Sequence, residues 1–334
     1  MSRSFLTLFH ALLLLLLNAS GFSVGFSGSR KSGETKCRER ERQALLNIKQ
    51  SLIDKYGMLS TWSDDHNNTN CCKWKGIQCN NQTGHVQVLD LHGNFGSHHL
   101  EGAINLTSLT HLQYIQYLDL SNNDFPWSHI PQLIGSFTNL RYLDLSFCLF
   151  GGNIPSKLGN LSKLQYLNLG GNNLWGPIPF QIGNLSHLQY LDLGDSYLIG
   201  EIPFEIGNLK RLKYLNLMSY SLSGTLLFQN GNLPLLHALR LRGNFDIKVK
   251  NAEWLSNLSS LTILEMTSLH NLSSSRQWLQ SISKLIPDLK ELKLVDCSLS
   301  DADIKSLFHS HSNFSTSLTV LALLEKCQII TEIE

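Results

Sequence analysis

Four cysteines stand close together near the front of the chain, Cys37, Cys71, Cys72 and Cys79, and three more, Cys148, Cys297 and Cys327, are scattered behind them. Thiols grouped in this way either oxidise in pairs or hold zinc as thiolates. The paired CxxC spacing of a four-thiolate zinc site is missing, so no metal is expected. A disulfide between neighbouring Cys71 and Cys72 would be strained, which leaves two pairings open. Cys37–Cys71 with Cys72–Cys79 is preferred over Cys37–Cys72 with Cys71–Cys79.

The compartment decides whether thiols oxidise. Arg3 is followed by an apolar run from Phe5 to Leu17 and then by small residues, Ala19, Gly21, Ser23 and Gly25. That order is a secretory signal peptide, with oxidising surroundings beyond it. Later windows carry no apolar run of about 18 residues, the length a membrane-spanning helix needs, so export without an anchor is expected. Export also gives meaning to the Asn-x-Ser/Thr triplets at Asn67, Asn81, Asn105, Asn160, Asn184, Asn257, Asn271 and Asn313, all candidate glycosylation sites. The triplet at Asn18 falls within the signal peptide.

Enzymatic patterns fail on context. "GFSVG" at Gly21–Gly25 matches G-x-S-x-G but follows no strand and opens no helix. "GSRKSGET" spaces two glycines like a phosphate loop, yet Gly33 is followed by Glu34 where that loop needs lysine. His92, His98 and His99 cluster after the first repeat without an evident carboxylate or cysteine partner. No enzyme activity and no cofactor are expected. A formal net charge of +1 over 334 residues gives nucleic acid or an anionic membrane no electrostatic hold.

Aromatic and acidic residues recur instead. Tyr117, Tyr142, Tyr166, Tyr190 and Tyr214 each precede a leucine, and Asp119, Asp144, Asn168, Asp192 and Asn216 each follow it, with Arg240 and Glu265 continuing the second series. Tyrosines beside polar groups suit protein hot spots and sugar stacking. Tyr142, Tyr166, Tyr190, Tyr214, Asp144, Asp192 and Arg240 are therefore the candidate ligand-binding residues. The competing reading makes the tyrosines scaffold, packed on one another across strands.

A repeat positions these columns. "NLSKLQYLNLGGNNLWGPIPFQIG", from Asn160 to Gly183, is followed at once by the near-copy "NLSHLQYLDLGDSYLIGEIPFEIG". The first leucines of the LxL cores fall at Leu89, Leu118, Leu143, Leu167, Leu191, Leu215, Leu239, Leu264, Leu292 and Leu321. Their steps of roughly 24 to 29 residues lie in the leucine-rich-repeat range. Alternation in "LRYLDLSFC" predicts one short strand per turn with one buried face. The next position, Asn94, Asn123, Asn172 and Asn244 in the clearest copies, is expected to bridge backbone groups between turns; Cys148, Ser196 and Cys297 fill it elsewhere. "GxIP" at Gly152–Pro155, Gly176–Pro179 and Gly200–Pro203 forces a bend and an extended return in place of a long helix. From about residue 251 the connectors lengthen and "SSSRQWLQSISKLIPDLKELKL" takes helical spacing. The fold class is α/β, a leucine-rich-repeat solenoid of about ten turns with a parallel concave sheet behind a disulfide-stapled cap. Its expected divisions are a signal peptide over 1–25, a linker over 26–36, the cap over 37–82, repeats over 83–326 and an irregular tail over 327–334.

The segment "ERERQALLNIKQSLIDKYGMLSTWSDDHNNTNCCKWKGIQCNNQTGHVQVLDLHG" and the repeats after it resemble the extracellular region of plant leucine-rich-repeat receptor-like proteins and receptor kinases. "SISKLIPDLKELKLVDCSLSD" is most similar to immune receptor-like proteins of the group that perceives a fungal xylanase elicitor. The resemblance implies cap disulfides Cys37–Cys71 and Cys72–Cys79, with Trp62 and Trp74 packed on the first turn. It also implies recognition of a protein, peptide or glycan ligand outside the cell, in concert with a leucine-rich-repeat receptor kinase. Family receptors carry more turns, a C-terminal cap and a membrane span, so a chain stopping at "LALLEKCQIITEIE" reads as truncated, apoplastic as it stands and at the plasma membrane if the gene continues. The alternative is a secreted inhibitor of a cell-wall-degrading enzyme, similar to polygalacturonase-inhibiting proteins.

Overall fold

Alternate side chains of a strand point to opposite faces, so each LxL core sends both leucines inward. Leu143 and Leu145, Leu167 and Leu169, and Leu215 and Leu217 are fully buried. No single turn can cover that apolar face; only a neighbouring turn does. The computed structural model describes residues 35–65, 70–94, 96–225, 233–246, 253–269, 282, 284–299, 318–325 and 328–333. The signal peptide, nearly all of the linker, Asn67, Asn271, Asn313, Cys327 and most of the helically spaced segment beyond residue 270 lie outside them.

One strand per turn builds the concave sheet, from Val86–Asp90 through Tyr117–Asp119, Tyr142–Asp144, Tyr166–Asn168, Tyr190–Asp192, Tyr214–Thr225, Ala238–Asp246, Ile263–Thr267 and Glu291–Val295 to Val320–Glu325. All are parallel, and the ten leucines named above pair in one unbroken row, Leu89 to Leu321. Behind the middle strands, Pro155, Pro179 and Pro203 each lead into a five-residue 3₁₀ segment, Ser156–Asn160, Phe180–Asn184 and Phe204–Asn208. Proline fixes φ at the entry and the tight helix makes a slim convex side. On the flank, Gly151–Gly152, Asn173–Gly176 and Tyr197–Glu201 pair as a second, short parallel sheet that joins the far end of Tyr214–Thr225. Gly176, at φ 86°, lies so close to the Asn153 amide that a Cβ would meet Oδ1 at 2.6 Å.

At the cap, Glu39–Ser51 is helical and buries Ala44, Leu45 and Ile48. Trp62 and Trp74 are buried with their rings stacked at 5.4 Å, and the Trp62 Nε1 donates to the Lys75 carbonyl at 2.9 Å. Ile77–Cys79 then runs antiparallel to Val86–Asp90, so the cap closes the first edge of the concave sheet. Cys37 is bonded to Cys71 and Cys72 to Cys79, with Cα atoms 5.3 and 5.4 Å apart.

The bridging positions divide. The Asn172 amide donates to the Leu145 and Leu169 carbonyls, both at 2.8 Å, and its Oδ1 accepts from the Cys148 and Phe150 amides. Asn123 does the same one turn earlier, and the Cys148 and Cys297 thiols face carbonyls of their own and preceding turns. Burial pushes the Cys148 thiol far above its usual range, away from thiolate chemistry. Asn94 and Asn244 correct the expectation: both are exposed. The chain after Asn94 turns back to pair with His98, and at Asn244, just past a register shift against the preceding strand, the chain stays extended to Asp246, so neither side chain turns into the core. The tail is corrected as well. Gln328–Ile333 is not irregular but pairs antiparallel with Val320–Glu325, giving that strand's open N–H and C=O groups partners.

Candidate ligand-binding face

The two columns come from strand register. Tyr117, Tyr142, Tyr166, Tyr190 and Tyr214 are consecutive cross-strand partners. Their rings lie flat on one another, with centroids 4.2 to 4.3 Å apart and planes within 2 to 12°. Inner members of the stack have a ring on each face, and Tyr166 is 0% exposed. The stack closes the apolar faces of Tyr142, Tyr166 and Tyr190 to any ligand, and all three side chains are buried.

The hydroxyls are spoken for too. Tyr142 and Tyr166 both donate to Asp144 Oδ2, at 3.4 and 3.2 Å, and Tyr190 and Tyr214 both donate to Asp192 Oδ2 at 3.4 Å. Asn168 and Asn216 complete the pattern, their amides donating to Asp144 and Asp192 at 3.2 and 2.9 Å. Alternation of aspartate with asparagine gives each buried carboxylate an amide donor from the next turn, where a second carboxylate would repel it. The other carboxylate oxygen accepts from the strand exit, Ser146 N and Oγ for Asp144 and Gly194 N for Asp192. Burial, and then these carboxylates, raise the tyrosine hydroxyls well above the usual phenol range, so they remain donors.

Alternation fails at the front of the column, where Asp119 pairs with Asp90 on one side and with Asp144 on the other. Burial first, and the Asp144 charge second, push the Asp119 carboxyl up to about 6. An acid raised in the folded state contributes stability that is full below its unfolded value of roughly 4 and is lost as pH rises through 6. Asp119→Asn is therefore expected to raise the melting temperature at pH 7.5, by up to about 3 kcal/mol in stability, and to change little at pH 4. Melting curves at the two values check it; equal shifts would contradict the assignment.

Arg240 continues the polar column, with its guanidinium 5.8 Å from the Tyr214 ring centroid and Nε 3.3 Å from Glu265. Lys293 pairs next to Glu265 in register, so the column changes from acidic to alternating charge over its second half. The histidines correct an expectation. His92 Nδ1 sits 2.6 Å from Asp90 Oδ1, and His99 Nε2 lies 3.3 Å from Glu101, so carboxylate partners are present. The Asp90 hydrogen bond raises the His92 imidazole above its ordinary value. Asp90, His92 and Asp119 bring donor atoms within 4.8 Å of one another. All three are engaged: His92 with Asp90, and Asp119 with the Ser121 amide and hydroxyl.

Of the glycosylation triplets, Asn81, Asn105, Asn160 and Asn184 are exposed and Asn257 is half-buried. Asn160 and Asn184 end 3₁₀ segments, and Asn105 caps one, accepting from the Thr107 amide at 3.1 Å. What the columns did not reveal is a second exposed aromatic set, Trp127, Trp175, Tyr197 and Tyr220, on the flank. The alternation in "NLWG" and "YLIGE" is its sequence signal: Leu174 and Leu198 point in, Trp175 and Tyr197 out.

Residues 127–330 match the family described as leucine-rich repeat region, and residues 38–80 match the leucine rich repeat N-terminal domain. Receptor-like protein EIX1 of Solanum lycopersicum is 37% identical over 91% of the chain. The chain belongs to the plant leucine-rich-repeat receptor-like proteins. It spans 22% of the length of that relative. Among solved structures, the ectodomain of the Arabidopsis thaliana receptor kinase GASSHO1/SCHENGEN3, in complex with CASPARIAN STRIP INTEGRITY FACTOR 2, superposes with a TM-score of 0.57 at 29% identity, covering 76% of this chain and 33% of that one. The Arabidopsis receptor kinase HAESA, in complex with the peptide hormone IDA and the co-receptor SERK1, superposes at 0.56 with 26% identity, covering 77% and 46%. Among the described residues of this receptor-like chain, no helix is long and apolar enough to cross a membrane.

Proposed function

We propose that this chain is an extracellular recognition surface of a plant immune or signalling receptor-like protein, one that binds a protein, peptide or glycan ligand and works with a partner receptor kinase. The observation that carries the reading is the concave sheet: ten strands in one register over a constant leucine core, whose outward side chains hold a tyrosine and Asp/Asn pattern for five turns and then change to Ala238, Ile263 and Glu291 beside Arg240, Glu265 and Lys293. A constant core under a variable face separates folding from specificity. Within that face the tyrosine column and its carboxylates serve as a rigid floor, and the Arg240–Glu265–Lys293 row supplies ligand contacts. The complexes of similar ectodomains, GASSHO1/SCHENGEN3 with CASPARIAN STRIP INTEGRITY FACTOR 2 and HAESA with IDA and SERK1, support the ligand and coreceptor parts of this reading.

The direct test is surface binding of the full chain, secreted from plant cells, against microbial wall proteins, synthetic peptides, oligosaccharides and kinase ectodomains. Binding that Arg240→Ala weakens by about tenfold or more at unchanged melting temperature supports the concave assignment. Inhibition of a wall-degrading hydrolase, with no other binding, would instead establish the inhibitor reading. Export and glycosylation are tested on the same material: glycosidase treatment is expected to lower its apparent mass by several glycans, and unchanged mobility would refute this.

A further inference from the structure

Where the chain enters each strand, the solenoid repeats an Asn-Leu pair. Asn160, Asn184, Asn208, Asn232 and Asn257 each stand seven residues ahead of an anchor leucine. In three of these copies the next residue, Ser162, Ser186 or Ser259, completes a glycosylation triplet; in the two between them Lys210 and Pro234 take its place. The backbone does not explain the gap. Asn208 is exposed and ends the 3₁₀ segment Phe204–Asn208 as Asn160 and Asn184 end theirs. An N-linked glycan is bulky, so two consecutive turns without an acceptor leave this edge bare between turns that have one.

The bare edge is also basic. Lys210 and Arg211 are exposed and Lys213 is half-buried, three cations within four residues. Register fixes their neighbours: the Lys213 amide donates to the Gln189 carbonyl and the His237 amide to the Lys213 carbonyl, both at 2.8 Å. Leu235, 44% exposed, thus takes in the next turn the place that Arg211 has here. Lys210 Nζ donates to the Gly207 carbonyl at 3.0 Å, which steadies it at the edge. Among the described residues, Arg211 and Lys213 have no carboxylate within ion-pair distance. The acids of this turn lie elsewhere, Glu201 on the flank strand and Glu205 in the 3₁₀ segment. A chain with a net charge of +1 therefore concentrates positive charge at one place on its rim.

We infer that this bare edge docks an acidic segment of a partner protein, its carboxylates on Lys210, Arg211 and Lys213 and an apolar side chain on Leu235. Extent and composition select the occupant. A polyuronate repeats its charge along its length and needs cations turn after turn. The equivalent positions hold Ser186, His187 and Gln189 before this turn, Pro234, Leu235 and His237 after it, then Ser259, Ser260 and Thr262. Earlier turns offer single cations, Arg141 and Lys163, the latter bonded to Asn139 at 2.8 Å. An anionic lipid layer is held by clusters of about four to eight lysines and arginines, more than this edge has. An exposed leucine beside a guanidinium suits a protein contact, apolar at the centre with charge at its rim, and the arginine fork takes a carboxylate through two parallel hydrogen bonds. The inference rests on the recognition reading and deepens it, naming the chemistry of the partner at an edge apart from the concave columns.

The test is surface binding of the full chain, secreted from plant cells, to an immobilised peptide repeating Glu-Glu-Leu, with a Gln-Gln-Leu peptide, polygalacturonate and phosphatidylglycerol vesicles as controls. Binding to the acidic peptide alone is expected, and it should weaken as salt rises. Arg211→Glu with Lys213→Glu is expected to reduce it by about tenfold or more at unchanged melting temperature; no loss there would overturn the site. Lys210→Ser completes a triplet at Asn208 and is expected to add one glycan and abolish binding. Lys210→Ala, and Lys210→Ser combined with Asn208→Gln, remove the charge without the glycan and should weaken binding by only about threefold. A glycan detected by mass that left binding at the Lys210→Ala level would also overturn the site, and if no mass were gained the charge-reversed protein decides. Equal binding to any control would overturn the acidic protein partner, and no binding to the acidic peptide would overturn the inference. Ligand binding that Arg240→Ala weakens and the charge reversal does not would leave the recognition reading standing in each of these cases.

Discussion

Tyr166→Ala is expected to lower stability by about 4 kcal/mol, near the middle of the range for deleting a buried aromatic ring. The side chain is sandwiched between Tyr142 and Tyr190 at 4.3 Å on each face, and its hydroxyl serves Asp144. Removing it opens a slot in the stack and takes one of the donors from a buried carboxylate. Tyr166→Phe separates the two effects: the ring stays and only the hydrogen bond is lost, at about 1 kcal/mol. Thermal or urea unfolding of the three proteins measures both. If Tyr166→Ala melted normally while ligand affinity fell, the rings would be a contact surface and the scaffold assignment would be wrong.

Loss of a cap disulfide is the second large effect. Cys72→Ser or Cys79→Ser is expected to cost about 2 to 5 kcal/mol, and Cys37→Ser the same, because the cap is what covers the first edge of the sheet. Without it Leu89 and Leu91 lose their cover and the unpaired strand Val86–Asp90 becomes open to other chains. Secretion yield from plant cells and protease resistance are the readouts. Cys148→Ser is the contrast: the hydroxyl can donate to the carbonyls the thiol now faces, so yield should be close to wild type. A Cys72→Ser protein secreted as well as Cys148→Ser would remove the cap from its structural role.

The repeat phase was readable to the residue, because every anchor leucine solves the same problem: one apolar face that only the next turn can cover. The pairing of the cap cysteines was narrowed by the strain of bonding neighbours. What the letters could not show is how side chains orient once register is set. A tyrosine every turn is compatible with splayed rings or a closed stack, and only the χ angles choose between them. Asp90 and His92 are two residues apart and so share a strand face, yet their hydrogen bond depends on where the loop to His98 carries the backbone. Asn94 and Asn244 fit the repeat pattern by position and fail by conformation. The flank rows went unread because their alternation is short and sits among loop-forming glycines and prolines.

Alternation of Asp144, Asn168, Asp192 and Asn216 has a consequence for how such a chain can lengthen or shorten over generations. Unequal crossing-over between near-identical 24-residue copies is the obvious route to new receptors, and leucine register alone would tolerate the gain or loss of one copy. Electrostatics would not. Excising the turn of Asn168 alone sets Asp144 beside Asp192, whereas excising two consecutive turns sets Asp144 beside Asn216 and restores a donor. Gain or loss of turns in pairs would keep a donor beside each buried carboxylate of this middle region, and Asp119, flanked by Asp90 and Asp144, shows the displaced proton affinity that unmatched neighbours produce.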